Sequence, residues 1–316
     1  MKTISILDTD ITSSNLGNEI IMESVNDVLN ELFFDDFIIR IQCTDLIGKM
    51  SKKYIGLSNF SFIGGSNLLT SEMNVYKQIG FKMLDSFKVN EMILFGVGWW
   101  QYQKEPNLFT KIFLKNLLSN KNIHSVRDFY SEQKLKKLGI TNVLNTSCPS
   151  TWTLTKTHCA QIPKRQSQNV VFTLTDYNLD YQNDENLINL LKKNYENIYF
   201  WPQGLNDIKY LDSLKTDDHH RINILPPKLK VFDDLLINND VDYIGTRLHG
   251  GIRAMQKKKR ALIISIDNRA SEISSDIGIN VAARGSENDL RNFICNSYDT
   301  SVNIPENNIS IWKNQF

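Results

Sequence analysis

No apolar run in the 316 residues is long enough to cross a membrane, so no spanning helix is expected. The opening MKTISILDTD stays apolar too briefly before Asp8 to read as a signal peptide. There is no excess of either charge: 36 Lys and Arg stand against 35 Asp and Glu, a formal net charge of +1. A nucleic-acid binder ordinarily carries a basic excess, so no nucleic-acid partner is expected. Cysteine is scarce, with Cys43, Cys148, Cys159 and Cys295 far apart and no C-x-x-C pair. That argues against a zinc site or disulfide framework and fits reduced thiols in a cytosolic protein. The one metal-like run, Asp217-Asp218-His219-His220, reads as a polar loop, because adjacent ligands rarely converge on one ion. No metal is expected, and neither repeats nor low-complexity segments occur.

What is present is a core-forming composition, 41% hydrophobic and 22% charged, in a length that favours two domains. A cycle of short apolar run, Gly/Asn/Ser loop and helix-period segment recurs. The first cycle places a strand at 3–9, a loop at 10–18 and a helix at 19–32, with Asn18 as N-cap. Further strands are expected at 60–63, 92–97, 123–126 and 142–144, with helices at 108–118 and 130–138, the latter closed by Gly139. The pattern fails in TKTHCAQIPKRQSQ, then restarts with strands at 170–175, 198–201, 222–225, 241–244 and 262–266. The expected fold class is α/β, two Rossmann-like lobes with parallel sheets and a cleft between them. The expected boundaries are a first lobe at 1–155 on the acceptor side, a linker at 156–168, a second lobe at 169–296 on the donor side and a tail at 297–316.

The stretch YIGTRLHGGIRAMQKKKRALIISIDNR carries most of the chemistry. It puts Arg247, His249, Gly250 and Gly251 between a strand and a helix, at the carboxyl edge of a parallel sheet where ligands bind. A helix N-terminus offers free N–H groups and partial positive charge. Glycines there let an anion approach the backbone. Arg247 supplies a two-pronged donor for phosphate or carboxylate, and His249 a group that exchanges a proton near neutral pH.

IGTRLHGGIRAM followed by ALIISIDNR resembles the signature of the polysaccharide pyruvyltransferase family, with Arg269 in the role of the later basic residue. NLGNEI from Asn15, IGGSNLL from Ile63, SVRDFYSEQKLKKLGI and SCPS from Ser147 resemble further family segments, in order. The resemblance implies a GT-B-like architecture and transfer of pyruvate from phosphoenolpyruvate to two sugar hydroxyls as a cyclic ketal, with no other cofactor. It places Arg247, His249, Gly250 and Arg269 on the donor, with His249 as general acid or as hydrogen-bond donor to the leaving phosphate. Gln203 in FWPQG, after a strand, is a further donor-side candidate, with a turn set by Pro202 and Gly204 as the equal alternative. The acceptor side takes Asn15, Gly17, Asn18, Gly65, Ser66, Trp99 and Arg127. Two positions depart from the family. FTLTDYN holds Thr175 and Asp176 where members often carry an arginine, and Asn18 stands where they usually have Asp.

Of the adjacent Trp99 and Trp100, one is expected in the core, and the other is left open between the core and a cleft wall where a sugar face could stack on it. Asp207 reads as a helix cap, Arg127 and Asp128 as a structural pair ahead of a helix that Asp128 caps. QKKKR at 256–260 is a solvated helix end or, more sharply, a patch for anionic lipid headgroups. The partner expected is a sugar or lipid-linked glycan in the cytoplasm, with contact at the inner membrane face left open, in capsule or exopolysaccharide biosynthesis. Two rivals stay open: a glycosyltransferase using a nucleotide sugar, and a non-catalytic assembly partner.

Overall fold

The computed structural model describes residues 1–89, 91–216 and 219–316. Asp217 and Asp218, expected in a polar loop, lie outside the described residues. The chain divides into two compact units. The first comprises 1–13, 21–152 and 304–316; the second comprises 14–20 and 153–303. The stretch read as a linker opens with a short helix, Lys156–Cys159, and is grouped with the second unit. Its Cys159 and Ile162 are buried, and His158 Nε2 lies 2.9 Å from the Met255 carbonyl oxygen.

In the first unit the strands are β1 (Thr3–Asp8), β2 (Phe37–Gln42), β3 (Phe60–Gly64), β4 (Met92–Phe95), β5 (His124–Val126) and β6 (Val143–Asn145). They pair in parallel in the order β2-β1-β3-β4. The β5-β6 ladder continues the sheet, since Val97 bridges Val126 and Gly96 N–H donates to Ser125 O at 3.0 Å. Ile4, Ile6 and Leu7 of β1 and Phe62 and Ile63 of β3 are fully buried, as expected for parallel strands covered on both faces. The helix expected at 19–32 spans Leu16–Leu32. Its cap is Asn15, whose Oδ1 accepts the Gly17 N–H at 2.9 Å. Asn18, expected as the cap, instead donates its N–H to the Asn15 carbonyl inside the first turn. Asp128 does cap its helix, accepting the Ser131 N–H at 2.7 Å.

The tail forms a helix, Glu306–Lys313, that packs into this unit. Trp312 is fully buried, its ring centroid 4.3 Å from that of Phe95, and Phe316 sits 5.2 Å from Phe62.

His124 is a buried histidine with a structural role. Leu94 N–H donates to its Nδ1 at 3.2 Å, so its proton sits on Nε2, which donates to the Ser119 carbonyl at 2.8 Å. Burial pushes its pKa down from 6.5 to about 4. The folded state therefore favours the neutral ring, and stability falls as pH drops below 6.5, where the unfolded chain takes up a proton the folded one refuses. By pH 4.5 this amounts to on the order of 2–3 kcal/mol. Urea unfolding at pH 7 and pH 4.5 should show that loss in the native chain and a smaller one in His124→Gln, whose amide reproduces both bonds. Equal acid losses would remove the contribution.

The second unit holds β7 (Asn169–Thr173), β8 (Asn197–Phe200), β9 (Ile222–Ile224), β10 (Val241–Gly245), β11 (Ala261–Ser265) and β12 (Val281–Ala283). All pair in parallel in the order β12-β11-β10-β7-β8-β9. The chain runs outward from β7 to β9, then returns to β10 on the other side of β7. The order thus reverses between β7 and β10, the crevice where doubly wound sheets bind ligands.

Candidate functional site

Thr173 ends β7 and Gly245 ends β10. Their backbones approach so closely that a Cβ on Gly245 would lie 2.3 Å from Thr173 Oγ1. The tight seam carries a chain of hydrogen bonds. Tyr243 OH donates to the Arg247 carbonyl and contacts Thr173 Oγ1, both at 2.6 Å, and Arg247 N–H donates to Thr173 Oγ1 at 3.3 Å. Arg247 is thereby set as the N-cap of helix Leu248–Gln256, at the reversal point. His249 follows in the first turn and is buried.

Gly250 and Gly251 have a different reason from the one expected. A Cβ on Gly250 would lie 2.8 Å from the Tyr243 hydroxyl, and one on Gly251 would lie 2.4 Å from Ile263 Cγ1. Both glycines are needed for the helix to seat on β10 and β11, whatever ligand its N-terminus takes.

The Arg247 side chain is 4% exposed and is held through two of its three nitrogens. Its Nε donates to the Leu174 carbonyl at 3.0 Å, and Nη2 donates to Asp176 Oδ1 at 3.0 Å and to Asp207 Oδ1. Asp207, in the first turn of helix Asp207–Ser213, is fully buried. Its other oxygen accepts the N–H groups of Gln203 at 3.0 Å and Gly204 at 2.7 Å. Burial pushes this carboxyl upward, while Arg247 and the Gly204 N–H pull it down. Gly204 permits the pairing, because a Cβ there would lie 2.3 Å from Arg247 Nη2. Asp207 is more than the helix cap it resembled: it is the buried counter-ion of the site arginine.

Arg269 lies in the first turn of helix Asn268–Ile277, after β11. Asp267 caps that helix, accepting the Arg269 N–H at 3.0 Å, and also takes Arg269 Nε at 3.0 Å. The two arginines meet at Tyr177. Its ring centroid is 5.3 Å from Arg247 Cζ and 5.8 Å from Arg269 Cζ, and its hydroxyl accepts from Arg269 Nη2. Tyr177, 53% exposed, presents an aromatic face and edge to two cations. The loop carrying it is fastened onward by Asn178, whose Nδ2 donates to Ile266 O at 2.7 Å and whose carbonyl accepts Arg284 Nη1 at 2.6 Å.

Arg247 and Arg269 do converge, then, but not as free cations. Three carboxylates, Asp176, Asp207 and Asp267, outnumber the two guanidiniums they pair with. The expected surplus of fixed positive charge is not what this arrangement holds.

Gln203 is buried beside the same cluster, and its Nε2 donates to Asn15 Oδ1 at 3.0 Å. Leu16 N–H donates to the Gln203 carbonyl at 2.9 Å, and Asn15 bridges Gly204. Gly17 lies so close that a Cβ would sit 2.7 Å from Gln203 Nε2. The N-x-G-N segment, expected on the acceptor side, is thus fastened to the Gln203–Gly204 loop within the second unit, and Gln203 Oε1 is buried with no hydrogen-bond partner among the described residues.

The other acceptor-side residues belong to the first unit. Gly65 and Ser66 follow β3 with left-handed backbone, φ +58° and +60°. A Cβ on Gly65 would lie 2.2 Å from Ile21 Cγ2, and the Ser66 carbonyl accepts Gly98 N–H at 2.8 Å. Trp99 is corrected: it is fully buried, with Nε1 donating to Gln103 Oε1 at 3.0 Å, so it fills the core and offers no sugar platform. The half-buried indole is Trp100, 4.7 Å from the Tyr76 ring. Arg127 is likewise buried, its Nε paired with Asp128 Oδ2 at 2.9 Å and its guanidinium against Gly98. The paired structural role holds, and no exposed face is left for an acceptor. The basic run at 256–260 does not form a patch. Arg260 turns inward toward Asp242, and Lys259 donates to the Asn239 carbonyl.

Two parallel α/β units of this kind define a GT-B-like fold, and comparison with solved structures agrees. UDP-GlcNAc 2-epimerase from Methanocaldococcus jannaschii, solved with UDP-GlcNAc and UDP, matches with a TM-score of 0.54 at 11% identity, covering 93% of this chain and 92% of that one. The S. aureus MnaA–UDP structure matches with a TM-score of 0.58 at 12% identity, over 94% of this chain and 88% of that one. UDP-N-acetylglucosamine 2-epimerase from Rickettsia bellii gives 0.54 at 13%, over 100% and 94%. At these identities the likeness is one of fold. No curated protein sequence matches. The family model for polysaccharide pyruvyl transferase matches residues 15–268, most of the chain. The chain belongs to that family, and is a transferase.

Proposed function

We propose that the protein transfers the pyruvyl group of phosphoenolpyruvate to two hydroxyls of a sugar during synthesis of a surface polysaccharide such as a capsule. The observation that carries this reading is the meeting of Arg247, Arg269 and the helix start bearing His249 at the sheet's reversal point in a chain of this family. In the reaction the methylene carbon gains a proton and the central carbon accepts one hydroxyl oxygen. The second hydroxyl then displaces phosphate, so the two hydroxyl protons balance the methyl group and the leaving phosphate. Arg247 and Arg269 hold carboxylate and phosphate, and His249 donates the proton or hydrogen-bonds the departing phosphate. The setting proposed is the cytoplasm; among the described residues no helix is long and apolar enough to cross a membrane. Purified protein with phosphoenolpyruvate and a panel of sugars should release phosphate and yield a ketal. No product over a wide panel would count against the reading.

The carboxylates make a specific demand on it. A dianionic donor at Arg247 must compete with Asp176, which is 21% exposed and the easier of the two partners to move. Asp176→Asn should therefore tighten phosphoenolpyruvate binding by about tenfold or more, read as a lower Kd. Weaker binding would mean that Asp176 serves to hold Arg247 in place.

The excess of carboxylates over guanidiniums also favours a second reading, a donor that stacks on Tyr177 and carries its charge more diffusely, such as a nucleotide sugar. Stabilisation by a nucleoside diphosphate with none from phosphoenolpyruvate selects it.

A further inference from the structure

A cavity lies in the first unit, lined by residues between 44 and 113. Its volume is about 530 Å³, within the range of small-molecule sites. The floor is apolar: Met73, Ile79, Phe81 and Phe113 are buried there. Phe109 stacks on Phe113 with centroids 6.1 Å apart, fixing the wall made by helix Leu108–Leu117. The opposite wall is pinned at Gly80, whose N–H donates to the Cys43 carbonyl at 2.8 Å and whose carbonyl accepts the Ile47 N–H at 3.0 Å. A Cβ at Gly80 would fall 1.7 Å from the Asp45 carbonyl oxygen, so this wall is built around a glycine.

The rim differs in chemistry from the floor. Lys77 and Lys82 stand at the opening and are exposed, with Asp45 the one carboxylate among the lining residues. Asp45 Oδ1 already accepts the Leu46 N–H at 2.7 Å. Residues 44–112 contain eight lysines against five carboxylates, a local +3 in a chain whose total is +1. The segments forming the walls also leave Leu46, Leu84, Phe87 and Leu108 more than half exposed. Lys82 also faces Asp85, which Lys52 pairs at 3.0 Å, and an apolar cavity opening onto water between two lysines is unfavourable to hold without an occupant. Its complement has an apolar body and an anionic end, and the long lysine stems can follow the chain while their ammonium groups meet the charge.

We infer that this cavity binds the apolar chain of a lipid phosphate, with Lys77 and Lys82 holding the phosphate. The inference stands apart from the transferase reading and has its own test. Dodecyl phosphate, below its micelle concentration, should bind the intact protein saturably by titration calorimetry. Dodecanol should bind more weakly by about tenfold or more, and inorganic phosphate should not compete at equal concentration. Lys77→Glu with Lys82→Glu, both surface changes, should weaken dodecyl phosphate by about tenfold or more. Phe109→Trp, which narrows the cavity, should weaken dodecyl phosphate and dodecanol together. No saturable binding overturns the proposal, as does binding that both variants leave intact. Binding to phosphatidylglycerol vesicles that survives Phe109→Trp would assign the lysines to a membrane surface and overturn the cavity as well.

Discussion

Arg247→Ala is expected to destabilise the protein by about 3–5 kcal/mol as well as abolish transfer. The guanidinium is the counter-ion of Asp207, which is fully buried and holds the Gln203–Gly204 turn through two backbone N–H groups. Removing the cation leaves that carboxylate without compensation in a site that burial already makes costly for charge. A loss of activity in Arg247→Ala alone would therefore say little about the donor. The informative comparison pairs Arg247→Met with Asp207→Asn. The asparagine can still accept the turn's N–H bonds without carrying charge, so the double variant should recover much of the stability lost by Arg247→Met. It should remain inactive. Denaturant unfolding of the two single variants and the double one reads the coupling directly. Additive losses would mean that the pair is not energetically linked and that Arg247 is held by its bond to Leu174 and its place over Tyr177.

Trp312→Ala should cost about 3–5 kcal/mol, the usual range for truncating a buried large aromatic. Native stabilities are about 5–15 kcal/mol, so the variant is expected to be marginal at 37 °C. The indole packs among Phe62, Phe95, Trp152 and Phe316, and the tail is tied at both ends. Asn308 Nδ2 donates to the Asn145 carbonyl at 2.9 Å, and Gln315 bonds both N–H and carbonyl of Ile123, at 2.7 and 3.0 Å. Trp312 Nε1 is buried without a hydrogen-bond partner among the described residues. Trp312→Phe removes that orphan donor along with some packing, so it should lose distinctly less than the alanine variant. If the two cost the same in urea unfolding, packing in this cluster contributes little.

Legibility in the sequence followed burial. The runs SILD, FSFIG, MILF, VVFT and DYIG read as strands because they are short, mostly apolar runs whose side chains are buried on both faces, with only an isolated polar residue such as Ser5, Ser61 or Asp242 among them. FIIRIQ, which forms β2, escaped: it is the edge of its sheet, partly exposed along most of its length, and Arg40 reaches back to Asp8. The helix Lys49–Leu57 escaped because three lysines and a glycine blur its period. At the site, Arg247 and His249 were readable from their place at a strand–helix junction, and Arg269 only through the family resemblance. Their counter-ions were not, since Asp207 and Asp176 meet Arg247 from 40 and 71 residues away. Asp176 was readable as a departure, but nothing local marked Tyr177 beside it as the ring on which both arginines rest. Glycines misled in the same way. Gly250 and Gly251 look like a ligand cradle, yet the close neighbours a Cβ would strike are Tyr243 and Ile263. Trp99 and Trp100 cannot be told apart by period at the end of a strand, and burial separates them.

The claim on which the rest turns is that the Arg247–Tyr177–Arg269 cluster takes the anionic donor. Titration calorimetry with phosphoenolpyruvate tests it most directly, on the native chain and on Arg269→Gln, which leaves the buried Arg247–Asp207 pair untouched. Saturable binding by the native protein that weakens by about tenfold or more in the variant is the predicted result. Equal affinity in the two, or binding of a nucleoside diphosphate with none of phosphoenolpyruvate, would contradict it.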